Sequence, residues 1–267
     1  MPTLDRQKPR QIDFNCDLGE GCGSDAAIVP WISSASIACG GHAGDASTMR
    51  EAVALCQSHG VAIGAHPSYE DREHFGRHAS VLSYDTIHAL VMRQVNMLAT
   101  ICHEAGAKLH HVKPHGALYN LAASDAGVAD AIARAVRDVD PALLLYGLSE
   151  SELTRAGESL GLRVAHEAFA ERRYEADGSL TPRTMQDAVI DDLASAVVQT
   201  LGLLRDGHVL ARTGERIPLR ADTLCLHGDR ADAPTFARGL RDALDNEGIA
   251  IVAPSQPRID RVPGVDA

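Results

Sequence analysis

Five short apolar runs in this chain each end in histidine or carboxylate residues beside a glycine or proline. They are Ile12-Asp-Phe-Asn-Cys-Asp-Leu-Gly-Glu20, Ile37-Ala-Cys-Gly-Gly-His-Ala-Gly-Asp45, Val61-Ala-Ile-Gly-Ala-His-Pro67, Leu109-His-His-Val-Lys-Pro-His-Gly116 and Leu224-Cys-Leu-His-Gly-Asp229. Each run has the length of one buried strand, and amphipathic helical patterns lie between them. Parallel strands joined by helices present all their carboxyl ends on one side of a sheet. The pattern therefore constrains the chain to an α/β fold with one convergent polar site.

The alternation can be followed along the whole chain. Strands are expected near 12–16, 35–39, 61–65, 109–112, 142–145, 163–168 and 223–226, with a possible closing strand at 248–252. A helix to about His59 starts after Asp45, which stands where an N-cap would, and Gly60 suits its exit. Further helices are expected over Ser83–Ala105, Ser124–Val136, Glu150–Leu160, Thr184–Leu204 and Ala233–Glu247. Residues 68–82 read as a long irregular loop, and Arg205–Leu219 as a hairpin with Asp206-Gly207 and Thr213-Gly214 as turns. About seven βα units without a break in composition predict one domain over residues 1–267, with 1–10 and 254–267 as tails. A barrel fits best, and an open doubly wound sheet stays possible because strand order is not legible.

Composition excludes several classes. A formal net charge of −11 and 4% aromatics disfavour nucleic acid, which needs basic surface and stacking platforms. The six cysteines form no Cys-x-x-Cys pair, so a zinc ribbon or dithiol site is not expected. No apolar stretch approaches a membrane span, and the first ten residues lack a signal-peptide core, so the expected location is the cytoplasm.

The strand ends carry the candidate chemistry. Asp17 and Glu20 flank Gly19 and can bind a cation or divide acid and base roles. In the second run, Gly40, Gly41 and Gly44 with Asp45 lead into a helix N-terminus, an arrangement open to an anion. His42 lies in that run, and His66 directly precedes Pro67, which stops a strand. Lys113 can act as electrophile or phosphate contact and His115 as a proton-transfer group. Tyr119 and Asn120 follow as hydrogen-bonding groups. His227 and Asp229 make the fifth contribution, and Arg77 and Arg172 can meet an anionic substrate. His110 and His111 point to opposite faces of one strand and read as structural. No predicted helix carries a His-x-x-x-His or His-Glu-x-x-His pair, so a metal would need ligands from separate strands, such as Asp17, His42 and His66.

Taken together, the motifs resemble the LamB/YcsF family over roughly residues 11–252. The specific pieces are Asp13-Phe-Asn-Cys-Asp-Leu-Gly-Glu20, Ala38-Cys-Gly-Gly-His-Ala-Gly-Asp45, Gly64-Ala-His-Pro67, Phe75-Gly-Arg77, Val112-Lys-Pro-His-Gly-Ala-Leu-Tyr-Asn120 and Cys225-Leu-His-Gly-Asp229. Ser36, Gly41, His78 and Glu171 depart from that pattern, which has Asn, Phe, Arg and Asp there. The resemblance implies a single-domain seven-stranded (β/α) barrel similar to the glycoside hydrolase/deacetylase superfamily. It implies the A component of a 5-oxoprolinase, with ATP-dependent opening of 5-oxo-L-proline to L-glutamate and two partner subunits, B and C. Within it, Asn15 joins the substrate or phosphate contacts.

On that expectation Asp17 or Glu20 is the base, while Lys113 and the 40–45 loop meet phosphate or an oxyanion. His42, His66, His115 and His227 transfer protons or act as ligands. ATP is the co-substrate, and a divalent metal and a homo-oligomer stay open. Two rival readings are kept: a metal-dependent hydrolase or deacetylase that needs no ATP, and a non-catalytic subunit that binds substrate or scaffolds its partners.

Overall fold

The computed structural model describes residues 11–255; the expected tail at 1–10 and most of that at 254–267 lie outside them. The strands are β1 (Gln11–Leu18), β2 (Ser34–Ala38), β3 (Ala62–His66), β4 (Leu109–Val112), β5 (Leu144–Leu148), β6 (Arg163–Phe169), β7 (His208–Leu210), β8 (Arg216–Pro218), β9 (Thr223–Leu226) and β10 (Ala250–Ile251). The helices are α1 (Asp25–Ile28), α2 (Ala46–His59), α3 (Tyr84–Glu104), α4 (Gly116–Ser124), α5 (Ala126–Val139), α6 (Glu152–Ser159), α7 (Leu193–Asp206) and α8 (Ala233–Asn246).

Strands β1 to β6 and β9 pair in parallel and in order, and β9 returns to β1, with Asp13 opposite Thr223 and Cys16 opposite Leu226. This closes a seven-stranded barrel and excludes the open sheet. The short β10 adds only to Gln11 and Ile12, so the barrel is closed by β9 instead. The hairpin expected at 205–219 is present as β7 and β8. Pro254 and Ser255, assigned to the tail, are tied back: their carbonyls accept from His110 Nε2 and from Arg163.

Side chains alternate across each strand, and here the alternation puts polar groups inside. Phe14, Cys16 and Leu18 are fully buried in the apolar layer between strands and helices. Asp13, Asn15 and Asp17 face the interior. Asp13 closes the amino-terminal end, accepting from Ser33 Oγ (2.6 Å), Ser34 Oγ (2.8 Å), Thr223 Oγ1 (2.6 Å) and the Tyr146 hydroxyl (3.0 Å). Above it the His111 ring stacks on Tyr146 at 4.1 Å. A Cβ on Gly64 would lie 2.1 Å from that ring, so glycine makes the room His111 occupies. Small barrels usually fill this space with branched aliphatics; a hydrogen-bonded interior is what carries polar groups to the site above.

Two helix expectations are corrected and one helix is added. The helix placed at Thr184–Leu204 begins only at Leu193, where the Asp192 carboxylate accepts from Ser195 N at 2.7 Å. Residues 184–192 are irregular because their backbone is committed to the rim: Arg173 N donates to Ala188 O and Ile190 N to Glu171 O. The helix placed at Ser124–Val136 is present as α5, and α4 before it is an additional helix that the sequence pattern did not mark. Asp125 separates them, its carboxylate accepting from Gly127 N (2.9 Å) and Val128 N (3.0 Å). The Glu150–Leu160 helix is shorter, starting after the Ser151 cap. Two strand bounds also move: β1 runs to Leu18 and β5 to Leu148, so Asp17 lies within a strand and not beyond it.

Candidate active site

The five strand ends meet at the carboxyl rim, and they sort into three groups. At the floor is Lys113, carried just past β4 and 2% exposed. Its Nζ donates to Asn15 Oδ1 (2.8 Å) and Glu167 Oε1 (3.2 Å) and approaches Cys225 Sγ at 3.3 Å. It also lies 2.5 Å from Asp17 Oδ1, a charge contact without hydrogen-bond alignment. Burial opposes charge on Lys113, but Asp17, Cys225 and Glu167 more than offset this and hold its pKa well above normal. Burial would likewise raise Asp17, yet His66 and Lys113 hold its carboxyl well below the usual range. The floor is therefore an ionised pair. Glu167 is steadied by Asn15 Nδ2 (3.0 Å) and the Tyr119 hydroxyl (2.7 Å).

Beside the floor stand Glu20, His42, His66 and His115. Gly19, at φ +71°, turns the chain after β1 so that Glu20 comes back over the rim. Its Oε1 is 3.0 Å from His42 Nε2 and 3.5 Å from His115 Nδ1. His42 and His115 stack at 3.7 Å, with His66 edge-on to both. Burial drives the His42 pKa down to about 3 and lowers that of His115, while burial and then Asp17 raise Glu20.

The third group forms the outer wall. His227 Nδ1 bonds Glu171, and Arg77 bonds Asp229. Burial raises the Glu171 pKa, but His227 outweighs it, and the group sits below its ordinary value. Arg172 is 4% exposed, and its guanidinium donates to the carbonyls of Thr181 (2.6 Å) and Ala188 (3.4 Å). It braces the 171–190 loop. A cavity of about 990 Å³ opens above, reached by Asp17, His66, Lys113, His115, Asn120 and Arg77 among others.

The sequence-predicted residues thus fall into place unevenly. Asp17, Glu20, His42, His66, Lys113, His115 and His227 converge, and Tyr119 and Asn15 support them. Gly40, Gly41, Gly44 and Asp45 lie outside the cavity lining. The Asp45 carboxylate accepts from Ser47 N (2.8 Å) and Thr48 N (3.0 Å), so it fills the helix N-terminus itself. Gly41 and Gly44 serve packing, and Gly40 takes a φ of +88°. A Cβ on Gly41 would come within 2.5 Å of Ser68 Oγ, and one on Gly44 within 2.9 Å of Gly19 O. The ligand set suggested as Asp17, His42 and His66 is regrouped: Glu20 and His115 join the two histidines within 4.8 Å, while Asp17 turns to Lys113. Ser68 and Gln94 carry no motif signal, and Glu167 signals only the start of an arginine-rich stretch. Their roles come from contacts 26 to 152 residues apart in sequence.

Fold and site define a parallel (β/α) barrel with an acid–base site at its strand carboxyl ends. The LamB/YcsF family model matches residues 12–258. The chain belongs to the LamB/YcsF family. It is 53% identical over 247 residues to the 5-oxoprolinase A component of Bordetella pertussis, covering 91% of this chain and 98% of the relative. It is 52% identical over 249 residues to the 5-oxoprolinase A component of Geobacillus kaustophilus, covering 92% and 97%. A solved lactam utilization protein from Thermus thermophilus superposes with a TM-score of 0.85 at 42% identity, covering 91% and 99%.

Proposed function

We propose that this chain is the A component of a 5-oxoprolinase and opens the lactam of 5-oxo-L-proline to L-glutamate. In this reading it works with subunits B and C, consumes ATP and resides in the cytoplasm. The observation that carries it is the ionised Asp17–Lys113 pair at the floor of a polar cavity. It is supported by the names of relatives that this chain matches over nearly their whole length. Among the described residues no helix is long and apolar enough to cross a membrane.

A lactam carbonyl is a weak electrophile with a poor leaving nitrogen. Transfer of a phosphoryl group from ATP to the amide oxygen turns that oxygen into a leaving group. Asp17, kept ionised, removes a proton from the attacking water. Lys113, held as a cation beside it, faces the oxygen on which negative charge develops. The tetrahedral adduct collapses by breaking its ring C–N bond, the proton taken up by Asp17 passing to the nitrogen, and a second water hydrolyses the acyl phosphate so formed to L-glutamate and phosphate. Arg77 at the mouth meets the substrate carboxylate if it exchanges Asp229 for it.

The test is ATP-dependent glutamate release from 5-oxoproline by the purified chain with and without subunits B and C. Release only in the three-component mixture supports the reading. Release by this chain alone overturns the multi-component part, and release without ATP overturns the activation step.

A further inference from the structure

The hydrogen-bond partners of three buried histidines fix which of their nitrogens carry protons. His66 Nδ1 lies 2.7 Å from Lys113 O, and His115 Nε2 lies 2.9 Å from Phe75 O. A carbonyl oxygen only accepts, so both of these nitrogens are N–H. His42 Nδ1 lies 2.8 Å from Ser68 Oγ, whose own hydrogen goes to Tyr69 O at 3.0 Å. Ser68 therefore accepts, and His42 Nδ1 is also N–H. In each neutral ring the other nitrogen is then a bare lone pair.

All three lone pairs point at one another and at a carboxylate. His115 Nδ1 is 2.9 Å from His66 Nε2, and His42 Nε2 is 3.0 Å from Glu20 Oε1. His66 Nε2 lies 3.9 Å from the same oxygen. With the three rings neutral and Glu20 ionised, four acceptors on four different strand ends converge with no donor between them. Outer partners that turn ring N–H groups outward are what orient histidines around a metal. The surroundings keep the cluster fixed: the Phe75 ring sits edge-on to His42 and His115, and Gly76 leaves no space for a Cβ against either.

We propose that Glu20, His42, His66 and His115 bind one first-row divalent metal ion of the Zn²⁺ type. Three imidazoles and one carboxylate are a donor set suited to that class and poorly suited to Ca²⁺ or Mg²⁺. Asp17 stands next to the set, 3.3 Å from His66 Nε2, but is held by Lys113. The site does not depend on the lactam reading, because its test is binding. The rival is that protons alone hold the cluster, on His66 and Glu20.

The experiment uses the full chain without an affinity tag, stripped with a chelator and titrated with Zn²⁺, then with Co²⁺. Metal per chain is counted by mass spectrometry, and Co²⁺ is followed by its visible absorption. One tightly bound ion per chain is expected, with a nitrogen-rich Co²⁺ spectrum and a raised thermal midpoint. Glu20→Gln and His42→Ala should abolish that binding; Glu20→Gln, nearly isosteric, carries the test if His42→Ala does not fold. Ser68→Ala, which leaves every ligand in place, should weaken affinity roughly 10- to 100-fold. Wild-type uptake no greater than that of Glu20→Gln would overturn the proposal in favour of protons. So would binding that survives Glu20→Gln but is lost with His74→Ala, which would move the ion to the exposed Asp71, His74 and His78 group.

Discussion

Replacing Lys113 by Met tests whether the site floor is an ion network that the fold depends on. The substitution keeps the length of the side chain and removes one positive charge. Asp17 and Glu167, 4% and 0% exposed at their side chains, would lose their shared counter-charge. Removing one partner of a buried pair costs about 3–5 kcal/mol, mostly from the charge left behind. At roughly 2–4 °C per kcal/mol for a protein near this size, the thermal midpoint should fall by roughly 10 °C. Asp17 keeps His66 at 3.3 Å, and Glu167 keeps Asn15 and Tyr119, so folding should survive. The assay is calorimetric or fluorescence-detected melting of Lys113→Met, Glu167→Gln and the double variant. Neutralising Glu167 should cost less in the Lys113→Met background than in the wild type, with coupling of at least about 1 kcal/mol. A Lys113→Met protein within about 0.5 kcal/mol of wild type, or strictly additive variants, would refute the network.

Three further outcomes follow from the same geometry. Asp17→Asn should keep the fold and reduce lactam hydrolysis by the reconstituted complex about 10²- to 10⁴-fold, the usual contribution of a general base; full turnover would remove Asp17 from that role. Gly64→Ala should destabilise by about 1–3 kcal/mol, because its Cβ would meet the His111 ring, and His111→Ala should relieve most of that loss in the double variant. Urea denaturation of the set would show this; equal cost in both backgrounds speaks against the clash. Burial raises the Asp13 pKa above its unfolded value despite four hydroxyl donors. The native state therefore binds that proton more tightly, and stability from this group falls as pH rises from about 4 through its folded pKa. Asp13→Asn should remove that fall, so the variant gains on the wild type as pH increases; parallel pH profiles would contradict it.

Much of the fold was legible because its signals are local. Apolar strand runs, Asp45 before α2 and Gly60 after it are read within a few residues. The misplaced helix at 184–192 failed for the opposite reason: its backbone bonds go to Glu171 and Arg173, which helix periodicity cannot register. Helix α4 was missed because it follows directly on the Lys113-Pro-His-Gly116 strand end, which read as a site loop, and Asp125 caps only the helix after it.

The site divides the same way. The sequence alone determined that Asp17, His42, His66, Lys113 and His115 stand at strand ends, since glycine or proline follows each run. It also determined the family, through motifs that keep their order over most of the chain. Tertiary structure decided the partners. Barrel closure through β9 and β1 sets Cys225 beside Asn15, and β6 brings Glu167 to Lys113 from 54 residues away. It showed that Gly41 and Gly44 relieve packing while Asp45 caps its own helix. It also decided which nitrogen of each histidine faces inward. That depends on carbonyls of Lys113 and Phe75 and on the Ser68 hydroxyl, and no one-dimensional spacing encodes where those acceptors lie.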